Sequence, residues 1–159
     1  MSDFRARVIT VSNRTAAGLW QDTSGPILVS GLADLGLDVD EPVVVPDGDA
    51  VGAALRTGLD LGFDLLITTG GTGLTPTDQT PEQTLPLLDR LIPGIAEAIR
   101  ATGLAGGVAS AVLSRGLAGQ SGRTLIINVP GSSGGARDAV AALSPFLIHA
   151  LEQVRGSDH

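Results

Sequence analysis

Asp64-Leu65-Leu66-Ile67-Thr68-Thr69-Gly70-Gly71-Thr72-Gly73 decides the fold: a short, apolar, β-branched run that ends abruptly in glycines. Short, β-branched and bounded by breakers, such a run reads as a β-strand. Similar runs occur at Arg7–Ser12, Asp38–Val45 and Thr124–Val129. Longer amphipathic stretches lie between them, at Ser24–Gly36, Ala50–Gly62, Glu82–Leu91, Pro93–Ala101 and Gly134–Val154, while Val108–Arg115 reads equally as helix or strand. Strands alternating with helices imply right-handed crossovers. The expectation is an α/β fold, a three-layer, mostly parallel twisted sheet with helices on both faces, as one domain over residues 1–159.

Local punctuation adds three expectations. Thr80-Pro81-Glu82-Gln83 has the form of a capping box, with Thr80 at N-cap, Pro81 at N1 and Gln83 at N3. Asp49 precedes Ala50 as an N-cap, and Asp22-Thr23-Ser24-Gly25-Pro26 offers several caps for the first long helix.

The composition is informative in what it omits. The 159 residues contain no cysteine and no tyrosine, and all 10 basic residues are arginine. Thiolate metal sites, disulfides and thiol nucleophiles are therefore excluded. So are a lysine Schiff base and a phosphate loop ending in Gly-Lys-Ser/Thr. The histidines are His149 and His159, too few for a histidine-rich metal site. With 43% hydrophobic and only 17% charged residues, the chain is a folding rather than a disordered one. A net charge of −7 disfavours nucleic acid and anionic membranes as partners. The apolar stretch Val8–Val11 is too short for a secretory segment and no run approaches a membrane span, so a cytoplasmic location is expected.

In an open parallel sheet, ligands bind outside the carboxyl ends of the strands. The exits here are Ser12-Asn13-Arg14, Pro46-Asp47-Gly48-Asp49, Gly70-Gly71-Thr72-Gly73 and Pro130-Gly131-Ser132-Ser133-Gly134-Gly135. Glycines let the backbone approach a ligand closely, and a helix N-terminus beyond them suits phosphate. The dinucleotide fingerprint is absent, because the third glycine after Gly71-Thr72-Gly73 would fall on Pro76. Taken alone the glycine turn is equally a plain tight turn.

The third exit continues as Leu74-Thr75-Pro76-Thr77-Asp78-Gln79-Thr80-Pro81-Glu82. Together with Val11-Ser12-Asn13-Arg14, Asp22, Pro46-Asp47, Leu113-Ser114-Arg115, Ala118-Gly119 and Asn128-Val129-Pro130-Gly131-Ser132, it resembles the molybdenum-cofactor biosynthesis family that includes molybdopterin adenylyltransferases and the gephyrin G-type domains. The resemblance covers nearly the whole chain, in order. It implies that family's fold and transfer of AMP from ATP to the terminal phosphate of molybdopterin, with release of pyrophosphate and with magnesium. It places Asp47 and Asp78 as catalytic, metal-holding aspartates. Ser12, Arg14, Gly70, Gly71, Thr72, Gly73, Ser114, Arg115, Pro130, Gly131 and Ser132 fall on nucleotide- or pterin-binding segments. It also implies a homotrimer or trimer-based hexamer and a partner protein for molybdenum insertion.

The residue chemistry agrees. A phosphate monoester has its second pKa near ~6 and needs no general base at neutral pH. Phosphoryl transfer then requires alignment and charge neutralisation, for which magnesium takes one or two carboxylates and arginine offers a planar fork; Arg14 and Arg115 are the candidates. Two positions depart from the family pattern: Thr77, where relatives usually have arginine, and Ser133, where many have proline. Thr77 motivates a second expectation, a non-catalytic pterin- or nucleotide-binding paralogue acting as carrier or scaffold. Among the remaining residues, Trp20 reads as a core or subunit anchor before a stacking platform, His149 as packed or half-exposed, and Glu82 as favouring the positive end of a helix.

Overall fold

The computed structural model describes residues 4–157; His159 lies outside them. Chain order is β1 (Arg5–Val11), α1 (Asn13–Ala16), α2 (Ser24–Asp34), β2 (Asp38–Val39), β3 (Val43–Val45), α3 (Asp49–Asp60), β4 (Leu65–Thr69), α4 (Thr80–Thr84), β5 (Arg90–Leu91), α5 (Pro93–Ala105), β6 (Ala118–Ser121), β7 (Thr124–Val129), α6 (Ser133–Leu143) and α7 (Leu147–Arg155). Two 3₁₀ turns, Leu85–Leu87 and Ala109–Leu113, complete it.

Among the described residues the sheet has seven strands in the order β2-β1-β4-β7-β6-β5, with β3 also pairing β1. β1 runs parallel to β2, β3 and β4, and β4 runs parallel to β7. The far edge, β7-β6-β5, is antiparallel. From β1 the chain goes first to one side and then, through β4, to the other, so the order reverses between β1 and β4. The register aligns the exits: Thr10 pairs with Thr69, Thr69 with Val129, and Val11 with Val45.

Alternation along the strands builds two cores. Ala6 and Val8, Leu65 and Ile67, and Leu125 and Ile127 face Leu28, Leu32, Ile99, Ala139, Leu143 and Leu147 of α2, α5, α6 and α7. Ile9, Val11, Leu66 and Ile126 face Val51 and Leu55 of α3, closed by Phe63. Helices therefore cover both faces, as the alternation of elements predicts.

Where local elements differ from expectation, proline and short edge strands explain most of it. The expected strand Asp38–Val45 is two pieces separated by residues 40–42, the last of them Pro42, which donates no ladder bond. The expected helix Gly134–Val154 breaks around Pro145 into α6 and α7. Glu82–Leu91 shortens to α4, a 3₁₀ turn holding Pro86, and the edge strand β5. Ambiguous Val108–Arg115 contains a 3₁₀ turn.

Both proposed caps are corrected. Thr80 lies inside α4, and its hydroxyl donates to Gly70 O at 2.9 Å instead of capping the helix. Asp49 is the first residue of α3 after a Gly48 cap, and its carboxylate accepts from Gln83 Nε2 at 3.4 Å. Among the candidates at the start of α2, Thr23 takes the N-cap position without a side-chain bond, and Asp22 Oδ1 accepts from Gly25 N at 3.0 Å.

Candidate functional site

A cleft of about 1010 Å³ lies along the carboxyl ends of β1, β4 and β7 and reaches over α5 and α6. That is at the top of the range for one small-molecule site, and large enough for two reactants side by side. Of the residues expected from the sequence, Ser12, Arg14, Asp47, Gly70, Gly71, Thr72, Gly73, Asp78, Ser114, Pro130, Gly131 and Ser132 line it.

The first exit is held by its own side chains. Ser12 caps α1, accepting from Thr15 N at 3.2 Å. Asn13 Oδ1 accepts from Asp47 N at 2.9 Å, tying the first exit to the second. Arg14 stacks over Trp20, 4.3 Å from the ring centroid. Trp20 is 58% exposed and lines the cleft, so within this chain it is not a core anchor.

Glycine is required at the third exit. Gly70 has φ +106°, and a Cβ on it would fall 2.2 Å from Val11 O. Gly71 has φ +70°, and a Cβ there would meet Thr80 Oγ1 at 2.2 Å and Asp47 Oδ1 at 2.9 Å. The glycines thus let the turn pack between β1, Thr80 and the Asp47 carboxylate. Across from them, a Cβ on Gly131 would sit 3.0 Å from Gly70 Cα, so the third and fourth exits touch backbone to backbone. Ser132 caps α6 through Gly135 N at 2.9 Å. The first-turn residues Ser133, Gly134 and Gly135 line the cleft, where helical N–H groups have no intrahelical acceptor.

The two aspartates differ in surroundings. Asp78 Oδ2 accepts from Thr75 N at 3.0 Å, which closes the 75–78 turn. Asp47 Oδ1 is buried with no hydrogen-bond partner among the described residues. Its pKa is raised above the usual carboxylate value, first by burial and then by the negative charge of Asp78, against the lowering effect of backbone hydrogen bonds. The pair therefore forms a focus of negative charge.

Ser114 lines the cleft, its Oγ 3.4 Å from Thr72 Oγ1, but Arg115 is not among the lining residues. Arg115 is turned to the loop itself. Nε donates to Gly73 O at 2.8 Å, Nη2 to Asp78 O at 3.0 Å and Nη1 to Glu82 Oε2 at 2.6 Å. Its backbone N–H donates to Thr72 O at 2.8 Å. Glu82 is thus an ion-pair partner, and its pKa is lowered chiefly by the hydrogen bond from Arg115. The arginines that do line the cleft are Arg14 and Arg100. Sequence reasoning missed Arg100, whose Nη1 donates to Ser114 O and Gly116 O, both at 3.2 Å.

Also missed was a buried polar relay under the third exit. Asn128 Nδ2 donates to Thr68 Oγ1 and Thr84 Oγ1, both at 3.0 Å, while Oδ1 accepts from Leu117 N at 3.0 Å. Thr84 donates to Thr80 O at 2.8 Å, and Thr80 in turn to Gly70 O. A polar residue in the middle of an otherwise apolar strand is the signal that could have found it. Thr77 is exposed at the rim, its Oγ1 3.4 Å from Thr75 Oγ1. His149 is exposed beside Gln153 and Glu152 and does not line the cleft.

Comparison with known proteins agrees with this architecture. Residues 7–149 match the family described as a probable molybdopterin binding domain. The chain is 38% identical over 155 residues to a molybdenum cofactor biosynthesis bifunctional protein of Synechococcus elongatus, covering 97% of this chain and 48% of that one. It therefore spans about half the length of the bifunctional relatives it matches. It is 33% identical to a molybdopterin adenylyltransferase of Pyrococcus furiosus, over 96% of this chain and 92% of that one. A solved structure of a molybdopterin biosynthesis protein from Mycobacterium abscessus superposes with a TM-score of 0.91 at 50% identity, covering 95% of this chain and 96% of that one.

Proposed function

The chain belongs to the molybdopterin-binding-domain family of molybdenum cofactor biosynthesis, and on that premise we propose that it adenylylates molybdopterin with ATP. A terminal phosphate oxygen of molybdopterin attacks the α-phosphorus of ATP. One phosphoanhydride bond forms, the bond between the α- and β-phosphates breaks, and pyrophosphate leaves. The observation that carries this reading is the Asp47–Asp78 pair at the strand exits, between two glycine loops and beside a helix N-terminus, in a cleft wide enough for both reactants.

Magnesium fits these residues. Asp47 Oδ1 is buried without a partner, and its pKa is pushed up by burial and by Asp78, so a cation would relieve both costs. Magnesium needs only one or two protein carboxylates when phosphates and water supply the rest. When bound, it neutralises charge on the reacting phosphates. The chain's own part is positioning. The cleft carries Asp22, Asp47, Asp78 and Asp138 against Arg14 and Arg100, so cationic help for anionic reactants comes mainly from the metal. The Gly70–Gly73 and Gly131–Gly135 backbones admit phosphate oxygens close to main-chain amides, which need no reorganisation during transfer. Arg115 keeps the Asp78 turn seated from behind.

Thr77 supports a second reading, a paralogue that binds pterin or nucleotide as carrier or scaffold. Incubation with ATP, magnesium and molybdopterin separates the two: adenylylated product with stoichiometric pyrophosphate supports the enzyme, and binding without product selects the carrier. Asp78→Asn is expected to lower turnover at least ~100-fold while molybdopterin affinity stays within a few-fold; unchanged turnover removes Asp78 from the mechanism.

We further propose a cytoplasmic homotrimer or trimer-based hexamer. No described helix is long and apolar enough to cross a membrane, and Leu104, Val108, Val112 and Leu113 form an exposed apolar run suited to a subunit contact. Light scattering tests the assembly. A molybdenum-insertion protein is the proposed recipient of the product.

A further inference from the structure

Arg100 stands on α5 in the wall of the cleft. In a chain with 17 acidic residues against 10 arginines, it makes no ion pair with any described residue. It is half-buried, and its Nη1 goes instead to two main-chain carbonyls, Ser114 O and Gly116 O. Among the described residues neither carbonyl has another donor.

A guanidinium committed in this way fixes backbone, since each carbonyl it leaves would need a new donor. The segment it holds is gripped on its other side by the sheet: Leu117 N donates to Asn128 Oδ1 at 3.0 Å, and a Cβ on Gly116 would lie 3.0 Å from Asn128 O. Held between α5 and β7, the segment in turn holds the third exit. Ser114 Oγ lies 3.4 Å from Thr72 Oγ1, Arg115 N donates to Thr72 O, and the Arg115 side chain donates to Gly73 O and Asp78 O. Arg100 itself makes no hydrogen bond to residues 72–78.

We infer that Arg100 is a positioning residue for the proposed transfer: by fixing the 114–116 backbone it sets Ser114 and Arg115 against the 72–78 turn, and so holds Asp78 in place. This rests on the proposed function for what Asp78 does there. It goes beyond that reading by giving α5 a part in the geometry of the aspartate pair, through two successive contacts. A direct phosphate contact and a positioning role make opposite demands on substitution. A phosphate contact uses the planar fork of arginine and is lost with lysine. Two carbonyls served by one nitrogen suit an ammonium, which carries three donors on a single atom.

The test pairs turnover with hydrogen–deuterium exchange, which needs neither ligand nor reaction. The reporters are the amides of residues 72–78, among them Asp78 N on Thr75 O and Thr75 N on Asp78 Oδ2. Arg100→Met keeps an unbranched side chain and removes the donors. It is expected to quicken exchange at 72–78 about 10-fold or more while β1 and α2 stay within about twofold. Its kcat should fall about 10- to 100-fold and the magnesium concentration for half-maximal rate should rise about tenfold, with KM for ATP within about twofold. Arg100→Lys should bring each value back to within about fivefold of wild type. Combined with Arg115→Gln, Arg100→Met should add little to the loss of Arg115→Gln alone, because both act on the same turn. If Arg100→Met does not fold, Arg100→Gln, too short to reach both carbonyls, is read in the same way. Unchanged exchange at 72–78 overturns the inference, and so does a fully additive double variant. A rise in KM for ATP or molybdopterin that lysine fails to correct also overturns it, by making Arg100 a direct ligand. Wild-type protein that forms no adenylylated product defeats the proposed reaction, while quickened exchange corrected by lysine leaves the positioning role standing.

Discussion

Replacing Asn128 with alanine removes the side chain that ties the sheet to the loop side of the site. Asn128 is 2% exposed and makes three side-chain hydrogen bonds, to Thr68 Oγ1, Thr84 Oγ1 and Leu117 N. Thr84 retains its own bond to Thr80 O, so the groups left most exposed to the loss are the Leu117 N–H and the Thr68 hydroxyl. An unsatisfied buried polar group costs about 1–3 kcal/mol. Two of them give about 2–6 kcal/mol, against a total stability of about 5–15 kcal/mol for a domain. With a urea m-value of about 2 kcal/mol/M, the denaturation midpoint should fall by about 1–3 M. Urea titration followed by far-ultraviolet circular dichroism reads this directly. Because the lost bonds lie under α4, which carries Thr80 against Gly70, apparent magnesium affinity should weaken too. A midpoint within about 0.3 M of wild type would mean that water replaces the side chain freely, and would refute the claim that this relay holds the third exit in place.

Three other outcomes follow from single residues. The Asp47 pKa is raised in the fold, so its ionised form opposes folding; that cost is absent below the ordinary carboxylate value, appears as pH rises through the raised one, and is full above it. Asp47→Asn should therefore raise Tm at neutral pH without magnesium, with the gain shrinking towards pH ~4; an equal gain at both pH values would rule out this electrostatic origin. Gly70→Ala must hold alanine at positive φ and press its Cβ onto Val11 O, a cost of at least about 2 kcal/mol, so calorimetry should show Tm lowered by at least about 4 °C; an unchanged Tm would contradict the tight packing of this turn. Arg115→Gln should weaken the magnesium dependence of turnover about tenfold with little change in KM for ATP, and Arg115→Lys should not restore it, since one ammonium cannot span Gly73 O, Asp78 O and Glu82 together; an effect on KM for ATP alone would return Arg115 to a direct phosphate contact.

Much of this was legible in the sequence because the central strands are dense in β-branched and apolar residues and end in turn residues, so their carboxyl ends could be placed without knowing strand order. β5 and β6 were not legible. They are short, and Ala118-Gly119-Gln120-Ser121 lacks the β-branched residues that mark a strand; its pairing comes from lying against β7. The break at Pro145 was hidden by an apolar period that continues across it into α7. At the site, Thr80 satisfied a local capping rule, yet its hydroxyl goes to Gly70 O, ten residues back along the chain. Arg115 looked like a phosphate ligand because its residue type suits phosphate, whereas its three acceptors belong to the loop and to α4. Residue chemistry showed which groups were available; only the tertiary arrangement showed which were already engaged.

The Arg14–Trp20 stack at the mouth of the cleft has an optical consequence. The chain has one tryptophan and no tyrosine, so its near-ultraviolet absorption and intrinsic emission come almost wholly from a single indole, which stands partly in water at the rim of the site. A guanidinium over that ring sets the resting signal, and any reactant that displaces or covers it changes the signal without interference from the core. The protein carries its own reporter of occupancy, and titrations at the cleft need no added label.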